Sequence, residues 1–374
     1  MSQESNQLSH EPVKELIPII YLDSAAYSKP LQCALEAYRN APFGNPSSSH
    51  AVGQAAREAL ENARERIAKC IGADKDEIYF TSGSTESCNI AMNTLVQMCE
   101  SVFRSPYEHH AVHENFNSAI IKNYYLIVHG DTAQFERGYA QMLVCNETGE
   151  IFDMPNRVNP TDFIFSDLTA AVGHFPVNVK QFGIDYGAFS GHKFGGVLGA
   201  GVLYVQKHCP HVYMISGGGQ ERGMRAGTEN VPAICAMAAA LEWHTERMEQ
   251  ETAYIAHLRD LFLDCLDNSG IAFTVNTPLD KCIPHILNVS FPGCEGTALS
   301  LLMSERGVMC SAGAACSNGL NEPSHVLMAM FNDEARARSA LRFSFSHDNK
   351  DMEIIKSVMI LAEEVKKLSA LSAH

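Results

Sequence analysis

The chain has 374 residues, of which 46% are hydrophobic and 19% charged, with a formal net charge of -15. That length exceeds the roughly 250–300 residues that one hydrophobic core serves, so two domains are expected: a large one over residues 19–250 and a smaller one from residues 1–18 and 251–374. The acidic balance disfavours direct binding of nucleic acid, and no stretch reaches the about 18 uninterrupted apolar residues of a membrane span. Residues 1–18 are mostly polar and lack a basic segment followed by an apolar one, so no secretory signal is read and a cytoplasmic protein is expected. Twelve cysteines scattered without a CxxC pair read as reduced core residues rather than a disulfide scaffold.

In chain order, residues 19–22 start a strand, and residues 45–70 read as a helix. Within that helix Ala56, Leu60, Ala63 and Ile67 recur at steps of four and three, and Gly72 ends the pattern. Short apolar runs follow at 78–81, 124–128, 141–144, 163–165 and 201–205, separated by helical or loop stretches. Strands interleaved in this way predict an α/β fold with a largely parallel sheet and helices on both faces. Ligand groups then belong at the C-terminal strand ends, where Ser82, Asn146 and Asp167 fall. Residues 231–266 form a long helical stretch leading out of this domain. Beyond it 271–275, 286–291 and 341–345 read as strands among helices, an α+β unit.

Three motifs carry chemistry. In SGHKFGG, residues 190–196, Lys193 stands behind Ser-Gly-His and ahead of paired glycines, where its amine can form a Schiff base; alone it would read as a solvated loop lysine. Asp167 closes a short apolar strand and can hold a proton on a pyridinium nitrogen, although a strand-end Asp is also an ordinary turn or cap residue. TSGSTES, residues 81–87, opens a helix, so that Ser82, Gly83, Ser84 and Thr85 offer N–H groups and hydroxyls to a phosphate or simply cap the helix. An imine-forming lysine, an acidic partner for a ring nitrogen and a phosphate cup are the protein groups that pyridoxal 5'-phosphate requires.

Arg342, in SALRFSFS, alternates with Phe343 and Phe345 and so points away from them, where its guanidinium can clamp an amino-acid carboxylate or sit exposed on a strand. Cys316 lies in a run of small residues, 310–319, that suits a loop carrying an exposed thiol. His109 and His113 stand four apart, as helical zinc ligands do. Their order matches neither HExxH nor HxxEH, no third ligand is paired with them by spacing, and no metal is expected.

Together these residues resemble the class V, fold-type I pyridoxal-phosphate enzymes, and among them the group I cysteine desulfurases. The resemblance runs from about Ile20 to the C-terminal helix through YLDSAA, FGNPSSSH, FTSGSTES, EHHAV, SGHKFGG, GGGQERGMRAGTEN, ILNVSF, SAGAACSNG, PSHVL and LRFSFS. It implies an aspartate aminotransferase-like α/β fold. It also implies that Lys193 forms the Schiff base, Asp167 pairs with the ring nitrogen, His109 stacks on the ring, and Asn146 contacts the ring hydroxyl or substrate. Ser84, Thr85, Ser190 and His192 would bind the phosphate, joined across a homodimer interface by Thr228 of the partner subunit. Arg342 would hold the carboxylate of L-cysteine. Cys316 would take the sulfur as a persulfide, leaving L-alanine, and pass it to an acceptor such as an iron–sulfur scaffold protein.

Departures from the family pattern are Ala170 where a glutamine is usual, Cys145 for the first asparagine of an NNE run, Ser24 and Tyr27 in the opening motif, and a short stretch between His109 and Asn146. The alternatives are another class V aminotransferase or lyase, such as a selenocysteine lyase, which needs no loop thiol, or a weakened homologue acting as an interaction protein.

Overall fold

A computed structural model describes residues 18–114, 137–312 and 322–372. Two cores organise it. The larger surrounds a six-stranded sheet of order β2-β7-β6-β5-β4-β3, made of β2 (Ile78–Thr81), β3 (Ser101–Arg104), β4 (Arg137–Ala140), β5 (Phe163–Asp167), β6 (Tyr186–Ser190) and β7 (Gly201–Val205). Neighbours from β3 to β6 are parallel, and β7 runs antiparallel to both β6 and β2. The expected largely parallel α/β sheet is thus present. The apolar run 141–144 is not a strand. The strand lies one step earlier, at β4, and Met142, Leu143 and Val144 are apolar because they run buried beneath the cavity described below. The run 124–128 lies outside the described residues.

Helices α1 (Gln32–Asn40), α2 (Ala51–Ile71), α3 (Ser84–Met98) and the single turn α4 (His110–His113) belong to this part of the chain. Helix α2 starts six residues later than the pattern suggested, because His50 caps it, with Nδ1 accepting from Gly53 N at 3.3 Å. Its stripe of Ala56, Leu60, Ala63 and Ile67 is buried, and Gly72 ends it at φ 69°, a conformation that favours glycine. Arg64, on the same helix, is also buried. Its Nη1 and Nη2 donate to Glu221 at 2.8 and 2.7 Å, its Nη1 donates to Ile78 O, and Glu221 Oε2 further accepts from Phe80 N. Arg64→Met leaves that carboxylate buried without its cation, so we expect a loss of about 3–5 kcal/mol in urea unfolding. A loss below about 1 kcal/mol would show that the loop around Glu221 relaxes into water.

The second core packs an antiparallel sheet of order β11-β12-β9-β8, formed by β8 (Thr274–Val275), β9 (Ile286–Ser290), β11 (Ser311–Ala312) and β12 (Ala340–Ser344). A two-stranded parallel ladder joins β1 (Ile20–Tyr21) to β10 (Val308–Met309). Ile20 and Leu22, inside the stretch 19–250, pack in this second core. Helix α5 (Val231–Asp267) runs through both: Val231 to Leu241 enter the first core, and Ile255 to Leu266 the second. Helices α6 (Gly296–Glu305), α7 (His325–Phe331), α8 (Glu334–Arg338) and α9 (Asp351–Ser372) complete this half. No described helix is long and apolar enough to cross a membrane. The eleven cysteines among the described residues are free, four of them buried and seven partly so.

Candidate active site

The C-terminal ends of the parallel strands open onto a cavity of about 470 Å³ that the second sheet closes from the other side. Lys193 enters it from the turn after β6. Its Nζ donates to the carbonyls of Ala25 and Ala26 at 2.9 Å each, and its own carbonyl accepts from Ser28 Oγ at 2.9 Å and lies 3.0 Å from His174 Nε2. Asp167, at the end of β5, is buried. One carboxylate oxygen accepts from Thr169 N at 2.9 Å, and the other lies 3.9 Å from the Cys88 thiol.

His109 caps α4 through Nδ1, which accepts from Ala111 N at 3.1 Å, so the neutral ring carries its proton on Nε2. Burial lowers its pKa, against the opposing pull of Asp167. Ser84 and Thr85 line the cavity at the N-terminus of α3. Gly201 is required here by close approach, since a Cβ on it would fall 2.5 Å from Gly83 Cα, just before that helix. Ser82 does not join them. It is exposed, and its Oγ donates to Glu86 at 2.5 Å.

Arg342 reaches the cavity from β12 while Phe343 and Phe345 are buried in the second core, as the alternation predicts. Its Nη1 donates to Asn146 O at 3.0 Å and its Nη2 to Asp23 Oδ1 at 3.0 Å and Ser311 Oγ at 3.3 Å. Two buried polar atoms there have no partner among the described residues: Arg342 Nε and Asn146 Oδ1. His192 is on the wall, hydrogen-bonded through Nδ1 to Ser190 Oγ at 2.8 Å, and burial with the charge of Lys193 pushes its pKa down to about 4. Ser190 sits buried behind it. Thr228 is exposed and off this wall, and Cys316 lies outside the described residues.

Sequence reasoning missed Asp23, Glu108 and Glu147. Asp23 was within a quoted motif, and Glu147 follows Asn146 directly. Glu108 is fully buried with Oε1 accepting from Met142 N at 2.6 Å and Oε2 without a partner among the described residues, and burial, aided by Asp167, raises it to about 8. Among the described residues no group of three or more His, Cys, Asp or Glu could hold a metal ion.

The residues present fit pyridoxal phosphate. The cavity has the volume of a small-ligand site, an amine and a carboxylate face it with a helix N-terminus bearing two hydroxyls, and an acceptor on Asn146 and a donor on Arg342 stand unpaired where polar ligand groups would satisfy them. Fold and site together define the fold-type I class of pyridoxal-phosphate transferases. The family model for class-V aminotransferases matches residues 20–356, and the chain belongs to that family.

It is 34% identical to cysteine desulfurase IscS of Dictyoglomus turgidum, over 95% of this chain and 96% of that protein. It is also 34% identical to putative cysteine desulfurase IscS 1 of Bacillus subtilis, over 94% and 99%. The solved structure of a NifS-like protein aligns with a TM-score of 0.82 at 30% identity, covering 93% of this chain and all of that one.

Proposed function

We propose that this chain is a cytoplasmic, homodimeric cysteine desulfurase: L-cysteine plus the Cys316 thiol gives L-alanine plus a Cys316 persulfide, which an acceptor such as an iron–sulfur scaffold protein then takes. Sulfur leaves Cβ for the Cys316 sulfur, Cβ gains a proton, and the electron pair of the broken bond stays with carbon, so no outside oxidant or reductant is needed. The observation carrying this reading is the convergence of Lys193, Asp167 and Arg342 on one cavity, in a chain whose relatives bear cysteine desulfurase names.

Pyridoxal phosphate, when bound, supplies an electron sink for charge developing at the substrate Cα. Lys193 would attach it, Asp167 would hold the proton on its ring nitrogen, His109 would lie against the ring and Asn146 would meet its polar edge. Ser84, Thr85, Ser190 and His192 would hold its phosphate with Thr228 of the partner subunit. Arg342, through its unpaired Nε, would receive the substrate carboxylate. Lys193 Nζ is the amine able to carry protons to and from substrate carbon.

Incubation of the holoenzyme with L-cysteine should yield alanine and protein-bound sulfane sulfur in equal amounts in the first turnover. 3-Mercaptopyruvate in place of alanine would instead establish transamination, pyruvate with free sulfide and ammonia would establish a lyase, and no conversion would leave the interaction-protein alternative.

A further inference from the structure

Glu147 lies on the cavity wall beside Arg342, buried, with Ser324 Oγ donating to Oε2 at 2.5 Å and no Lys, Arg or His of the described residues within ion-pairing distance. Arg342 is already paired with Asp23 at 3.0 Å. An arriving amino-acid carboxylate therefore meets a cation whose charge is spent on one carboxylate, with a second carboxyl group beside it. If Glu147 is ionised, three anions share one guanidinium in a site shielded from water, where like charges repel strongly; if it is neutral, only two do.

We propose that Glu147 is a substrate-affinity residue, which admits the substrate carboxylate to Arg342 only while it is itself protonated. This rests on reading the cavity as an amino-acid site. The charged and titratable groups on the same wall are Arg342 from β12, Asp23 through Arg342, Lys193 and His192 from the turn after β6, Asp167 from β5, His109 and His110 at the start of α4 and His325 from α7, with Cys145 on its own turn; Arg342 acts on Glu147 directly. Burial pushes the Glu147 carboxyl up to about 7, opposed by the Ser324 hydrogen bond and by Arg342, so its charge changes across the neutral range. Binding of a carboxylate that needs the acid form weakens about tenfold per pH unit above that point. Burial lowers the pKa of both His109 and His325, and a histidine can only lose positive charge as pH rises, so neither offsets the loss.

The test is equilibrium dialysis of radiolabelled L-alanine, which has no thiol to titrate, against the holoenzyme and its Glu147→Gln variant from pH 6 to 8.5. The ratio of wild-type to variant dissociation constants should rise about tenfold between pH 6 and pH 8, any titration shared by both proteins cancelling. In Ser324→Ala, which loses the donor favouring the carboxylate, the rise should move to higher pH. A ratio constant within twofold, or an unmoved midpoint in Ser324→Ala, overturns the role of Glu147 while leaving the amino-acid site standing. Absence of L-alanine binding to either protein at every pH overturns the amino-acid reading itself.

Discussion

Lys193→Ala should reduce alanine formation by at least about a thousandfold and leave the cofactor removable by gel filtration under denaturing conditions. Among the described residues lining the cavity it is the only amine, so no neighbour can take over covalent attachment or proton transfer. Positioned acid–base catalysis alone is worth about 10²–10⁴ in rate, and loss of the attachment point adds to it. Lys29 lies close in the chain to Ala25 and Ala26 but lines a different, smaller pocket behind the turn that carries Lys193. Borohydride treatment of the native holoenzyme followed by peptide mapping decides the matter: a cofactor tag on Lys29 or any lysine other than Lys193 would refute the assignment.

Cys316→Ala should bind L-cysteine yet form neither alanine nor persulfide, a loss again of at least about a thousandfold, because the carbon–sulfur bond breaks only when a nucleophile accepts the sulfur. The nearest rescue in sequence is Cys310. Its thiol is pushed up to about 12 by burial and by Asp23, which leaves on the order of one molecule in 10⁵ as thiolate at neutral pH. Fragmentation mass spectrometry of the tryptic peptide of residues 307–336, which holds both Cys310 and Cys316, should place the extra sulfur on Cys316 in the native protein after a single turnover and find none in the variant. An adduct on Cys310 would reverse the choice of nucleophile.

Much of this site could be read before any coordinates. Asp167 closes a strand that its apolar run marks, Lys193 stands out by the SGHKFGG motif around it rather than by a strand signal, and simple alternation with two phenylalanines orients Arg342 correctly. Burial and strand pairing are different demands, however, and the run 141–144 satisfies only the first. That run reads as a strand without being one, whereas β6, with Gly187 and Ala188 at its centre, has too little intrinsic strand preference to announce itself and exists because β5 and β7 pair with it on either side. Glu108 and Glu147 escaped notice for a related reason. A glutamate in a sequence reads as surface, and only the packing of Met142 and Ser324 against them reveals two carboxyl groups out of water.

The thirty-seven residues of α5 have a further meaning for how this chain can be divided. A helix of that length extends about 55 Å, and here its opening turns are apolar toward one core and its closing turns toward the other. A cut near residue 250 would sever the strut between the turns that serve each core, and would take Ile20 and Leu22 out of the second core and Ile283 and Ile286 out of the first. The strand at residues 20–21 adds a second tie, since the segment that opens the larger half is sewn into the smaller one beside Val308. The border between the halves is therefore a boundary between two ways of packing side chains, and gene fragments made along it should not be treated as modules.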